Sequence, residues 1–438
     1  MSSLNDSMPV NNVLDEQYKL TTEPVVMDNA VEYEWHEIQS DVIASSQNRT
    51  ATNWRLQLKN LNSYVNPARA FLQLSLRMTD SGNTNLGDGL NVSIQNHILS
   101  LFSRATLRVG GQIVETVNEC NVAKGLVQPL LHYSHDYAVS SGTNEMFYPD
   151  GPGLGTIKVP YNGDEDRTDF NEGHRRRYDR TSATNKSFHA YVNLSALFGF
   201  CSVDRILTNN DFIVELQKSD PKHHVLTGEA PYTQLVGVEK VSIWMPNVMP
   251  KSVVDLSLKS AFADGVVSNY MYPQLQCYTT RQDAGVNNFR VVTSSEKVLY
   301  AFVIARSPGR TVQTSVAETL DNVSTLEVRL NGRQYPLQPY VNLSGDTADK
   351  ARAYSDTLRY MNRNYDFSSG INLSYEKWSK TTIYSFDFTS QPEANMGAPA
   401  TLELKATTNL AIEWSVCVLS EKRAQIRYDG GSSVVLVN

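Results

Sequence analysis

Residues 104–116, RATLRVGGQIVET, and residues 324–336, STLEVRLNGRQYP, spell the same hairpin twice. Each reads as two short strands around a two-residue turn, Gly110-Gly111 in one and Asn331-Gly332 in the other. Gly-Gly and Asn-Gly are pairs that accept the positive φ such turns require. The copies lie almost half a chain length apart in a chain of 438 residues, which raises the question of a duplicated domain. A real duplication must repeat its other elements in the same order, and this one does. AFLQLSLR (70–77) is answered by LYAFVIAR (299–306), and a helix carrying Tyr133 and Tyr137 by one carrying Tyr354 and Tyr360. FHAYVNLS (188–195) is answered by TIYSFDFTS (382–390), and DFIVELQ (211–217) by TLELKAT (401–407). The offset shortens mainly between the helix and the fourth element, where the first half holds an extra polar loop, 144–187.

The size of the chain agrees, because single cores stop growing at roughly 250–300 residues. In FLQLSLR, Leu72, Leu74 and Leu76 alternate with Gln73, Ser75 and Arg77, the period of a strand with one face in a core. Helical stretches are few: 122–137, and 346–363 with Ala351, Tyr354, Leu358 and Met361 on one stripe. About eight strands per half, antiparallel hairpins and one helix between the middle strands favour a jelly roll. An immunoglobulin sandwich is disfavoured because its Cys, Trp, Cys pattern is missing. The expected architecture is all-β: an N-terminal arm at 1–30, a first jelly roll at 31–250, and a second at 251–438 with a short C-terminal tail. Pro246 and Pro250 are read as breaking the strand pattern at the boundary, followed by a short connection toward Val267.

Lys and Arg total 39 against 46 for Asp and Glu, a net charge of -7, so bulk neutralisation of phosphate is excluded and no specific nucleic-acid partner is expected. The four cysteines, Cys120, Cys201, Cys277 and Cys417, are far apart in sequence and beside apolar stretches. They read as buried free thiols of a reducing compartment. The N-terminus lacks the basic start and apolar run of a signal peptide. The strongest basic cluster is HRRRYDR, with His174, Arg175, Arg176, Arg177, Tyr178 and Arg180. It follows an acidic run containing Asp164, Asp166 and Asp169, so the two can pair within the loop or between subunits. The whole loop is a candidate intersubunit clasp or outer tower. The three aspartates lack the Gly and terminal Glu of a calcium loop. His132 and His135 are spaced to share a helix face, but the further ligands of a cupin-type metal site are missing. His223-His224 reads as a solvated pair in a turn. With no phosphate-binding loop and no nucleophile elbow, the expectation is no enzyme, no metal and no cofactor.

At this point the sequence resembles a known family, the double jelly-roll major capsid proteins of the adenovirus hexon lineage, especially the compact ones of Polinton-like elements, adintoviruses and virophages. The resemblance rests on NHILSLFSRATLRVGGQIVET (96–116), LLHYSHDY (130–137), RILTNNDFIVELQKSD (205–220) and VEKVSIWMPNVMP in the first half. In the second half it rests on LEVRLNGRQYPLQPY and on LELKATTNLAIEWSVCVLSEKRAQI (402–426). Together these span roughly residues 30–428. The arm at 1–30 has no counterpart that aligns, and the loops are shorter than those of large hexons.

The resemblance implies a structural protein of the virion. Three chains would form a homotrimer, a pseudo-hexagonal capsomer that tiles an icosahedral shell beside neighbouring capsomers and penton or minor capsid proteins, assembled inside a host cell. The 22 tyrosines suit such interfaces. The alternative from a different class is a two-domain β-sandwich that binds carbohydrate or acts as an adhesin, with Trp35, Trp54 or Trp378 stacking on sugars.

Overall fold

The computed structural model describes residues 32–41, 51–59, 63–80, 82, 86, 92–150, 171–181, 187–208, 210–227, 235–293, 297–315, 317–360, 372–390, 399–429 and 432–437. In the first half, β1 (Glu32–Gln39), β11 (Leu235–Met249), β4 (Phe71–Thr79) and β8 (Ser187–Asn193) form one antiparallel sheet in that order, and β3 (Tyr64–Val65) adds to β11. A second sheet runs β2 (Asn53–Leu58), β9 (Phe212–Lys218), β6 (Phe102–Val109), β7 (Gln112–Asn118). The short β5 (Val92–Ile94) pairs with β10 (Val225–Thr227).

The second half repeats both sheets. One runs β12 (Val267–Gln282), β19 (Ile412–Asp429), β14 (Lys297–Arg306), β17 (Tyr384–Asp387), with β20 (Ser432–Val437) added to β19. The other runs β13 (Gly285–Thr293), β18 (Ala400–Thr408), β15 (Val323–Leu330), β16 (Arg333–Val341). Taken in chain order, β1, β2, β4, β6, β7, β8, β9 and β11 map onto β12 to β19 without one change of neighbour. Two face-to-face sheets whose strands alternate between them along the chain are a jelly roll, so the chain is two of them in tandem. The repeated hairpin is one piece of a whole-domain repeat.

Period-2 burial drives these sheets. On β18, Ala400, Leu402, Leu404, Ala406 and Thr408 point inward and the residues between them are half-buried. On β4, Leu72, Leu74 and Leu76 are fully buried, each worth about 1.5–3 kcal/mol relative to exposure. Both repeat turns have two left-handed residues, with φ of +57° and +81° at Gly110 and Gly111 and +49° and +84° at Asn331 and Gly332. Gly110 is also confined: a Cβ there would lie 2.7 Å from Asn210 Oδ1 and 2.9 Å from a methyl of Val435. The last strand of the second roll thus lies on the first roll's hairpin.

Three expectations need correction. The helix expected over 122–137 is present but in two pieces: Cys120–Leu131, whose middle at Ala123–Val127 is π-helical, and, after a break at 132–134, His135–Val139. Gly125 sits where a Cβ would lie 2.8 Å from the backbone of Ser100, and Ser134 caps the last piece by accepting the Tyr137 amide. Pro246 does not end its strand: it lies within β11 opposite Trp35. Its missing N–H falls where the neighbour changes from β4 to β3, and its carbonyl accepts the Asn66 amide at 3.1 Å. The connection after Pro250 is a helix, Ser252–Ala263, tied to the first roll by Tyr64 Oη donating to Asp255 at 2.9 Å and to the second by Phe262 against Tyr428.

Candidate functional site: the seam between the rolls

One apolar cluster runs through both rolls, from Ile38 to Val435. The rolls meet where β12, an edge strand, crosses the turn Gly199–Ser202 of the first roll. Pro273 is tolerated on β12 because an edge residue can turn its amide position away from the ladder. Its carbonyl points at Gly199, where a Cβ would lie 1.7 Å from that oxygen. Only a residue without a side chain allows this approach. Around it, Phe200 stacks on Tyr270 with ring centres 4.6 Å apart, Tyr272 Oη donates to the Val114 carbonyl at 2.9 Å, and Gln274 reaches the Thr116 carbonyl at 3.4 Å.

Charges are buried in this seam. Glu115 accepts the amides of Gly199 at 3.1 Å and Phe200 at 2.9 Å. Burial pushes its carboxyl up, partly offset by Lys124 and the two amides. Burial pushes the Lys124 ammonium down, opposed by Glu115. Burial also raises the neighbouring Cys120 thiol to about 12, so it is no nucleophile. Further along, Glu413 binds Arg310 at 2.7 Å and Arg306 at 3.2 Å, and Arg306 donates to Ser415 at 2.7 Å. Glu119 of the first roll is close enough to feel both arginines. His132 contacts Tyr360 Oη at 2.9 Å with its ring edge-on to Phe302, and the Asn372 amide donates to the Tyr133 carbonyl at 2.8 Å.

Beside the seam, the buried Glu145 carboxylate is bound by His97 Nε2 at 3.0 Å, Tyr133 Oη at 2.5 Å and Tyr137 Oη at 2.8 Å. His97 Nδ1 accepts the Leu99 amide, which puts the proton on Nε2, facing the carboxylate. Burial pushes the carboxyl up, but these donors outweigh it and hold it below its ordinary value. The unfolded chain therefore takes up a proton that the folded chain refuses. The stabilisation is complete above the unfolded carboxyl value of about 4.3 and is lost as pH falls through the lower folded value. Thermal scans below pH ~4 are expected to fall more steeply for the native chain than for Glu145→Gln. Parallel profiles would remove Glu145 from acid sensitivity.

The basic cluster singled out in the sequence lies on a helix, Glu172–Thr181, packed on β5. Asn171 starts it by accepting the His174 amide at 3.1 Å. His174 and Arg177 are buried. Arg177 donates to the Ile94 carbonyl at 2.9 Å and the Tyr148 carbonyl at 2.7 Å, and forms an ion pair with Asp150. Arg180 binds the Thr143 carbonyl, Tyr148 Oη and the His189 carbonyl. Arg176 pairs with Glu172, and Arg175 lies 3.9 Å from Asp179; Tyr178 is half-buried. Asp164, Asp166 and Asp169 lie outside the described residues, as does the arm at 1–30. His224 is fully buried against Ser219, not solvated as its turn suggested, because the short helix Pro221–His224 directs it inward. Trp54 and Trp378 are also inside, while Trp35 is 44% exposed. The seam itself was missed, and the one local signal for it is Gly199 between two phenylalanines.

No protein-family model matches the sequence, and no curated protein matches it. Solved structures do. A chain of the Sputnik virophage cryo-EM structure matches with a TM-score of 0.61 at 12% identity, over 100% of this chain and 93% of that one. The crystal structure of the mavirus major capsid protein matches with a TM-score of 0.54 at 10% identity, over 100% and 96%. The PBCV-1 virus capsid model matches with a TM-score of 0.50 at 10% identity, over 96% and 99%. At such identities the likeness is one of backbones. Strand order and comparison agree, and the chain has the double jelly-roll fold of viral major capsid proteins.

Proposed function

We propose that this chain is a major capsid protein of the virion, three copies of which form a pseudo-hexagonal capsomer that tiles an icosahedral shell. The observation that carries the reading is the match, along the whole of this chain and 96% of the other, to the mavirus major capsid protein. The seam supports it, since two rolls of one topology fixed in one block give a three-fold assembly six similar walls. The outer sheet of the second roll also needs cover. Val286 on its edge strand β13 is 86% exposed and Leu337 on its other edge strand β16 is 82% exposed. Apolar side chains on open sheet edges invite lateral partners, here neighbouring capsomers and penton or minor capsid proteins. In this reading the segment 144–187 serves as intersubunit clasp or outer tower, and Arg177 ties its helix to the Ile94 and Tyr148 carbonyls. Sugar stacking loses two of its three tryptophans to the core.

The test is solution mass by light scattering after size exclusion, with negative-stain images of the same peak. A particle of three chains of 49.0 kDa each, hexagonal in outline, is expected. A stable monomer at micromolar concentration over a range of salt and pH would overturn the proposal.

A further inference from the structure

The four cysteines are free and buried, and two of them face each other. Cys277 on β12 and Cys417 on β19 are direct partners in an antiparallel ladder that runs without a register break from Val267 to Gln282. Such pairs alternate between hydrogen-bonded ones, with Cα atoms about 5.5 Å apart, and narrower non-hydrogen-bonded ones at about 4.5 Å. The kind can be read from the same ladder. The Tyr428 amide donates to the Val266 carbonyl at 3.0 Å, so the next pair, Val267 with Arg427, is of the narrow kind. Every second pair from there is narrow as well, down to Cys277 with Cys417. Pro273 agrees, because it sits on the same alternation opposite Glu421 and has no amide hydrogen to give the ladder. A separation of about 4.5 Å lies within the range that disulfides span. Paired residues of an antiparallel ladder put their side chains on the same face, and Cys277 is near enough to help push the Cys417 thiol up, after burial.

We propose that Cys277 and Cys417 form a cross-strand disulfide under oxidising conditions, a redox-sensitive lock on the second roll. Two S–H bonds break and one S–S bond forms. Two protons and two electrons go to a disulfide oxidant such as oxidised glutathione, whose own S–S bond breaks as it departs as two thiols through a mixed disulfide on one cysteine. Cys277 is 2% exposed and Cys417 0% exposed, so attack waits for the strands to open, and the closed bond is shielded from reductants. A chain folded in a reducing compartment keeps both thiols, and transfer to oxidising surroundings closes the lock. The bond closes a loop that holds β13 to β18, and long loops give the largest constraint on the unfolded chain.

The test uses the full chain incubated for days with oxidised glutathione, alkylated in denaturant and digested without reduction. The expected product is a cross-linked peptide pair joining Cys277 to Cys417 and lacking two hydrogens. The thermal midpoint is expected to rise by at least about 5 °C over the reduced chain. Recovery of both cysteines as alkylated or glutathione-bound residues, or a bridge to Cys120 or Cys201, overturns the proposal. In Cys417→Ala, which keeps a small buried side chain, the cross-link and the rise disappear together.

Discussion

Gly199→Ala is expected to cost about 3–5 kcal/mol of folding stability, well above the usual penalty for one added methyl group. The new Cβ would fall 1.7 Å from the Pro273 carbonyl oxygen and 2.9 Å from its carbon. Both obstacles are backbone, so no side-chain rotation relieves the clash and the two rolls must part. Parting them unstacks Phe200 from Tyr270 and breaks the Tyr272 hydrogen bond to the Val114 carbonyl. Gly111→Ala is the control. It has positive φ but nothing within 4 Å of its Cβ, and should cost about 1 kcal/mol. Urea unfolding measures both, and equal midpoints for the two variants would show that the close approach is dispensable.

Arg177→Met is expected to cost about 3–5 kcal/mol, because removing one member of a buried ion pair strands the other. The Asp150 carboxylate would lose its partner in a place where its side chain is only 8% exposed, and the Ile94 and Tyr148 carbonyls would lose the hydrogen bonds that Arg177 donates. Arg176→Met, one residue away and paired with Glu172 on the helix surface, should change stability by less than about 0.5 kcal/mol. Denaturant titration of the two variants separates an anchor from a solvated face. Similar losses for both would mean that the helix, not the Arg177 contacts, carries the effect.

The rolls were legible because their strands obey simple periodicities. Leu72, Leu74 and Leu76 announce a strand by alternation, and the Gly110-Gly111 and Asn331-Gly332 pairs mark where the chain can reverse. Repetition then multiplied weak signals into one topology. The seam was not legible, for an equally physical reason. Glu115, on a strand, and Lys124, in a helix, read as ordinary solvent-facing charges, and nothing nearby in sequence shows that a second domain covers them. Helix Glu172–Thr181 hid behind its charges, since its buried side includes Arg177 where an apolar stripe would be sought. The helix Ser252–Ala263 was obscured in the opposite way: Leu256 is 74% exposed, so its apolar residues do not mark an inner face.

The single core that joins the rolls bears on how such a chain can change over time. Two copies of a domain ordinarily begin as interchangeable parts, and either can be lost, swapped or expressed alone. Here each copy has given up a wall that water would need. The first roll's Glu115 and Lys124 lie in the seam that β12 helps to cover, and β12 can come so near only because position 199 has no side chain. Each half has become the other's solvent, so the duplication can no longer be undone. A change on either side of the join is inherited by both halves, as if the repeat were one gene product with one fate.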